Sequence, residues 1–149
     1  MGKKRVIKPT KEALLKERAS IEERISSGIV KSKKKIEKGR IYIKTTYNNT
    51  LITVTDEDGK VIFWASAGQV GFKGTKKGTP FASTKVAEVI SNGVIKLGMK
   101  EATVFLKGVG QGREAALRAL TNRGINITTI KDVTPVPHNG PKAKKPRRV

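Results

Sequence analysis

Cysteine is absent from the 149 residues and histidine occurs once, at His138. Without cysteine the chain has no disulfide, no thiolate-bound zinc and no thiol nucleophile, which points towards a reducing, cytosol-like compartment. The lone histidine sits in the proline-flanked stretch TPVPHNGP, where a Ser-His-Asp arrangement lacks neighbouring partners, so it reads as a structural residue or an RNA contact. Long apolar runs are missing as well. No stretch reaches the roughly 18 residues that a membrane span requires. No charged start, apolar stretch and small-residue cleavage site marks a secretory leader. Negative charge is the scarcest commodity: 12 Asp and Glu face 32 Lys and Arg, a formal net charge of +20. Self-repulsion on that scale opposes compaction unless a polyanion neutralises it, and nucleic acid is the leading candidate, ahead of an acidic membrane surface.

What is present divides into three regions. Residues 1–38 carry 13 basic and 5 acidic groups, and KEALLKERASIEERIS (11–26) spaces Leu14, Leu15, Ala19, Ile21 and Ile25 as a short amphipathic helix followed by a basic linker. Residues 39–134 hold the regular periodicities and read as an α/β domain. RIYIKTTY, TLITVTD and KVIFWAS alternate as three strands, joined by turns at YNNT and DEDG, with Gly59 free to take positive φ. A helix follows, with Thr79 as N-cap, Pro80 in its first position and Gly98 as its stop; Val86, Val89, Ile90, Val94 and Leu97 form its apolar stripe. EATVFLKG then reads as a strand, REAALRALTNR as a helix closed by Gly124, and INITTIKDV as a last strand. The βββαβαβ order implies parallel pairing in its second half, hence a mixed five-stranded sheet with helices on its faces. Residues 135–149 form a tail, and its last nine, PKAKKPRRV, contain Lys142, Lys144, Lys145, Arg147 and Arg148 and no acid. Such a segment cannot fold alone and suits threading along phosphates.

Candidate sites are few. Asp56, Glu57 and Asp58 cluster on a hairpin tip, where acids serve turns and converge poorly on a metal. KGVGQGRE (107–114) is a glycine-rich turn between strand and helix, the setting for phosphate binding, and Asp132 follows Gly112 by 20 residues as in a dinucleotide fingerprint. The third glycine of that fingerprint is replaced by Arg113, and the turn is not the first βα turn, so a nucleotide cofactor is not expected. Exposed amides beside Arg113 suit an RNA phosphate instead. GFKGTKKGTPF (71–81) packs three glycines and three lysines with no acid.

TYNNTLITVTDEDGKVIFWASAGQVGFKGTKKGTPFAS, together with KGVGQGREAALRAL and DVTPVPHNG, resembles the universal small-subunit ribosomal protein eleven family from about Gly39 to Val149. The PHNG loop with its basic tail resembles the bacterial or organellar branch. Residues 1–38 depart from the pattern, since members usually carry a shorter basic arm; this extension is expected to follow rRNA and to gain order only on the ribosome. The resemblance implies a ribonuclease-H-like fold and a non-enzymatic role without cofactor or metal: binding rRNA in the small-subunit platform, near the mRNA exit. Expected neighbours are small-subunit proteins seven and eighteen and, in bacteria, six and twenty-one, in the bacterial cytoplasm or on an organellar ribosome. In that setting Gly71, Gly74 and Gly78 let the backbone approach RNA while Lys73, Lys76 and Lys77 reach phosphates. Phe72 either stacks on a base or anchors its loop in the core. Asn48 and Asn49 fit turn geometry or RNA hydrogen bonding, with contact favoured, and Lys44, Arg113, His138 and Asn139 complete the expected RNA-binding set. The fold also invites a two-metal nuclease, which needs acids on the first strand, the first long helix and the fourth strand. Lys44 and Thr46, Glu88, and Lys107 stand in those places, so one acid remains for two metals.

Overall fold

The structure, a computed structural model, describes residues 36–145 and, before them, Glu12, Leu15, Lys16 and Ala19, which are helical and exposed. The rest of the amphipathic stretch at 11–26, and Arg147 and Arg148, lie outside the described residues. The elements are β1 (Lys38–Thr46), β2 (Asn49–Asp56), β3 (Val61–Ser66), a 3-10 turn (Gly74–Gly78), α1 (Pro80–Leu97), β4 (Glu101–Lys107), α2 (Gly112–Asn122) and β5 (Asn126–Asp132). They form a mixed five-stranded sheet in the order β3-β2-β1-β4-β5, in which β2 alone runs against the others.

Local chemistry sets these boundaries. The Thr79 hydroxyl accepts from the Ala82 amide at 3.3 Å and Pro80 opens α1, while Gly98, at φ 74°, ends it in the left-handed conformation. Between β2 and β3, Gly59 takes φ 84° and its amide donates to the Asp56 carbonyl at 3.0 Å. Strand alternation then sorts the faces. Ile41, Ile43, Ile52, Val54 and Val104 point one way and are fully buried; Val86, Ile90 and Val94 of α1 and Leu120 of α2 meet them, also fully buried. Each such side chain stabilises the fold by about 1.5–3 kcal/mol.

Both helices lie on this same face, where the sequence suggested helices on the sheet's faces. The reason is topological. The β3–α1–β4 and β4–α2–β5 connections join parallel strands and step in the same direction across the sheet; right-handed crossovers then place both helices on one side. A buried Thr50–Ser83 hydrogen bond of 2.7 Å ties β2 to α1 within that layer. The opposite face, which carries Arg40, Tyr42, Lys44, Thr53, Trp64, Thr103 and Phe105, has no helix over it among the described residues.

Candidate nucleic-acid interface

Because β1, β3, β4 and β5 are parallel, their carboxyl ends (Thr46, Ser66, Lys107 and Asp132) leave the sheet along one edge. The 47–48 turn, the 67–79 loop, the 108–111 loop and the segment after Asp132 therefore emerge together, and the amino ends of α1 and α2 face the same way. Positive ends of both helix dipoles add to the potential there. The stretches singled out in the sequence are thus brought to one surface.

Lys73 and Lys76 are exposed on that edge and Lys77 is half-buried. Lys142, Lys144, Lys145, His138 and Asn139 are exposed on the segment that follows, with Asn139 held at φ 51°. Lys44 stands on the open sheet face in register with Lys107 of β4, one step from the edge. Acids are sorted the other way. Glu37, Asp56, Glu57, Asp58 and Glu101 lie at the opposite end of the sheet, and the two at the loop edge are both neutralised. Glu114 pairs with Arg118 at 3.1 Å, and Asp132 pairs with Arg113.

Several expected contacts prove to be engaged within the fold. The Arg113 guanidinium, 28% exposed, donates to the Asp132 carboxylate and to the Gly108 carbonyl at 3.4 Å. Hydrogen bonds from Thr134 and then from Arg113 hold the Asp132 carboxyl down to about 2. The Gly108 amide donates to the Thr134 hydroxyl at 3.1 Å, so this cluster joins β4, α2 and the residues after β5. The acid 20 residues beyond Gly112 thus serves an arginine latch. Asn49 accepts from the Thr50 amide through its side chain at 3.0 Å and shapes the turn, leaving Asn48 exposed.

The glycines of the 71–81 loop divide. Gly71 and Gly74 adopt φ 98° and 61°, the turn conformations that glycine permits. Gly78 is buried, and a Cβ there would collide with the Tyr47 carbonyl, so its smallness serves packing between two loops. Phe72 is half-buried, packs on the core and meets Phe81 edge-on at 5.9 Å, the geometry of an anchor. The aromatic rings this edge displays are Phe81, 63% exposed, and Tyr47, 80% exposed. Tyr47, Thr75, Gly78, Thr79, Val109, Gly110 and Gln111 line a cleft of about 510 Å³. Sequence reasoning passed over these groups, although Tyr47 adjoins the two asparagines of its turn.

Among the described residues no nuclease centre assembles. Lys44 and Lys107 flank one another where carboxylates are needed, and Glu88 is held by Lys85 at 3.0 Å and by Arg123 at 3.5 Å. The Lys85 hydrogen bond, ahead of the nearby Arg123 charge, keeps its carboxyl below the ordinary range despite partial burial. Asp56 spends its carboxylate on the Glu57 amide at 2.8 Å, as a turn residue does.

A family model described as Ribosomal protein S11 matches residues 39–148. The chain is 52% identical over 122 residues to "Small ribosomal subunit protein uS11c" of Mesostigma viride, covering 82% of this chain and 94% of that protein. It is 52% identical over 121 residues to "Small ribosomal subunit protein uS11" of Thermosipho africanus, covering 80% and 94%. Against uS11c of Chlorokybus atmophyticus the identity is 54% over 122 residues, with 82% and 94% covered.

Proposed function

We propose a role that proceeds from one premise: the chain belongs to the ribosomal protein S11 family, and so is a structural constituent of the small ribosomal subunit, associated with its rRNA and proteins, and not an enzyme. Within that role the loop edge is the rRNA-binding surface. The observation that carries this is the convergence at one edge of Lys73, Lys76, Lys77 and the tail lysines, with the neighbouring acids Glu114 and Asp132 already paired to arginines. Cations that have no acidic partner among the described residues are available to displace counterions from phosphates. Asn48, His138 and Asn139 face outward beside them for hydrogen bonding, and Lys44 extends the surface onto the sheet. Arg113, Asn49 and Phe72 act from behind by shaping the loops that carry the contacts.

Residues 39–134 are the rRNA-binding domain, with residues 1–38 and 135–149 as basic arms that follow RNA outwards. The resemblance supports a place in the platform near the mRNA exit, beside small-subunit proteins seven and eighteen and, in bacteria, six and twenty-one. It supports a bacterial or organellar ribosome as the location.

Salt dependence of binding to a small-subunit rRNA transcript tests the loop edge. The logarithm of affinity falls linearly with the logarithm of salt, by roughly 0.7–0.9 per phosphate contact. Replacing Lys73, Lys76 and Lys77 together by alanine is expected to reduce that slope by about two to three. An unchanged slope would show that these lysines do not touch phosphate.

A further inference from the structure

The face of the sheet that no described helix covers carries a pattern that the loop edge does not explain. The register across β3, β2, β1, β4 and β5 places Trp64, Thr53, Tyr42, Phe105 and Lys131 side by side in one row. Tyr42 and Phe105 are stacked, with centroids 4.8 Å apart and planes inclined by 13°, so their rings stand on the sheet and the stack runs along the row. At the Tyr42 end the next position is a small side chain, Thr53, and beyond it comes Trp64, 43% exposed. Tyr42 and Trp64 are thus two strand spacings apart, roughly 9.5 Å, over a low floor. That gap has room for one planar base, about 3.4 Å thick, stacked on Tyr42 so as to extend the existing stack, with roughly 2.7 Å to spare on the Trp64 side. Tyr42 and Phe105 are half-buried and Trp64 is exposed on the edge strand β3, and the charge around these rings favours one kind of cover.

Arg40, Lys44, Lys107 and Lys131 surround the row. Among the described residues, the acids on this side are at its far end, where Glu101 is paired with Lys38 at 3.2 Å and Glu57 lies on the β2–β3 turn. An apolar protein surface gains nothing from four cations at its rim. A single strand of RNA satisfies both features, offering π faces to the rings and phosphates to the cations. A duplex, whose bases are already stacked, cannot.

We infer that the open sheet face is a second RNA contact, adjoining the loop edge at Lys44 but independent of the 71–81 loop, in which an unpaired base inserts over Thr53 between Tyr42 and Trp64 while Arg40, Lys44, Lys107 and Lys131 hold the flanking phosphates. The inference rests on the proposed role in binding rRNA, and extends it from a phosphate-binding edge to a site that selects unpaired nucleotides.

Trp64 is the one tryptophan of the chain, so its fluorescence reports this face alone. The full chain is titrated with a hexameric oligoadenylate, with an RNA duplex of equal length and with polyphosphate. Single-stranded oligoadenylate is expected to quench Trp64 at least about two-fold, and the duplex and polyphosphate are not. Loss of one stacked base corresponds to roughly 5- to 150-fold in affinity, so Tyr42→Ala is expected to weaken oligoadenylate by that order. Lys107→Glu with Lys131→Glu, both at exposed positions that leave the core intact, is expected to weaken it as well and to flatten its salt dependence. The Lys73, Lys76 and Lys77 alanine variant is expected to retain the quenching, which separates this face from the loop edge. Equal quenching by polyphosphate, or none while the rRNA transcript still binds, would overturn the inference and leave the loop edge standing. Acrylamide identifies other occupants. If Trp64 is shielded in the free chain at every concentration, residues 1–35 cover the face; if shielding disappears on dilution, a second copy does. Either result refutes the RNA site.

Discussion

Two buried threonines on the helix-covered face of the sheet show how a hydroxyl's value depends on its partner. Thr50 meets Ser83 at 2.7 Å, and Ser83 also donates to the Thr79 carbonyl at 3.2 Å, so the pair links β2 to the first turn of α1. Thr45 is 1% exposed and its Oγ1 has no hydrogen-bond partner among the described residues. Removing the Thr50 hydroxyl forfeits its buried bond and leaves Ser83 only its bond to the Thr79 carbonyl, whereas removing a hydroxyl that bonds nothing relieves a desolvation cost. Urea denaturation is therefore expected to show Thr50→Val destabilising by about 1–2 kcal/mol and Thr45→Val neutral or stabilising. A loss of the same size at both positions would mean that Thr45 has a partner after all. Gly108 belongs to the same neighbourhood: at φ 92° and with the Thr45 carbonyl where a Cβ would lie, it accepts no side chain.

At the scale of elements, β5 is the weakly buried member of the sheet. It lies at an edge, six of its seven residues are exposed, and it depends on parallel pairing with β4 and on the Arg113–Asp132–Thr134 cluster at its end. Folding lowers the Asp132 carboxyl from an ordinary 3.8 to about 2, chiefly through Thr134 and then Arg113. The ionised carboxylate therefore favours the folded state; that contribution is complete above the ordinary value and fades as pH falls towards 2. A carboxyl NMR titration is expected to find Asp132 titrating near 2, with Arg113→Ala and Thr134→Ala each moving it back towards 3.8. Protection factors of the β5 amides, corrected for the intrinsic exchange rate at each pH, are expected to fall in the same variants and, in the parent chain, on acidification across that interval. Protection factors that stay constant at low pH would show that strand pairing alone secures β5.

The whole molecule is polarised. Among the described residues, cations without an acidic partner gather at the loop edge and on the open face, while acids gather at the opposite end of the sheet. With a net charge of +20, the free chain repels itself, and salt at about 0.15 M screens such repulsion beyond roughly 8 Å. The melting temperature is accordingly expected to rise with added salt, and to rise further with a polyanion that binds the folded state. A melting temperature that falls steadily with salt would mean that the paired charges, such as Lys38–Glu101 and Arg123–Glu88, outweigh the repulsion.

The elements were legible in the sequence because their signals are local: alternation in β1 and β2, Pro80 and Gly98 at the ends of α1, and Gly59 in its turn each constrain only their neighbours. The element order and the mixed sheet follow from those signals, and the basic loop and tail announced a polyanionic partner through composition alone. Which side a helix takes depends on strand order and crossover direction, so the shared helical face, and an opposite one that no described helix covers, are tertiary facts. The same holds for pairs distant in sequence. Arg113 finds Asp132 across the ends of β4 and β5, Gly78 lies beneath Tyr47, and Phe72 turns inward to leave Phe81 outside. Alternation in each strand says that Tyr42, Trp64 and Phe105 leave the core, but only the pairing register sets them in one row, because register is a relation between strands that no single strand contains.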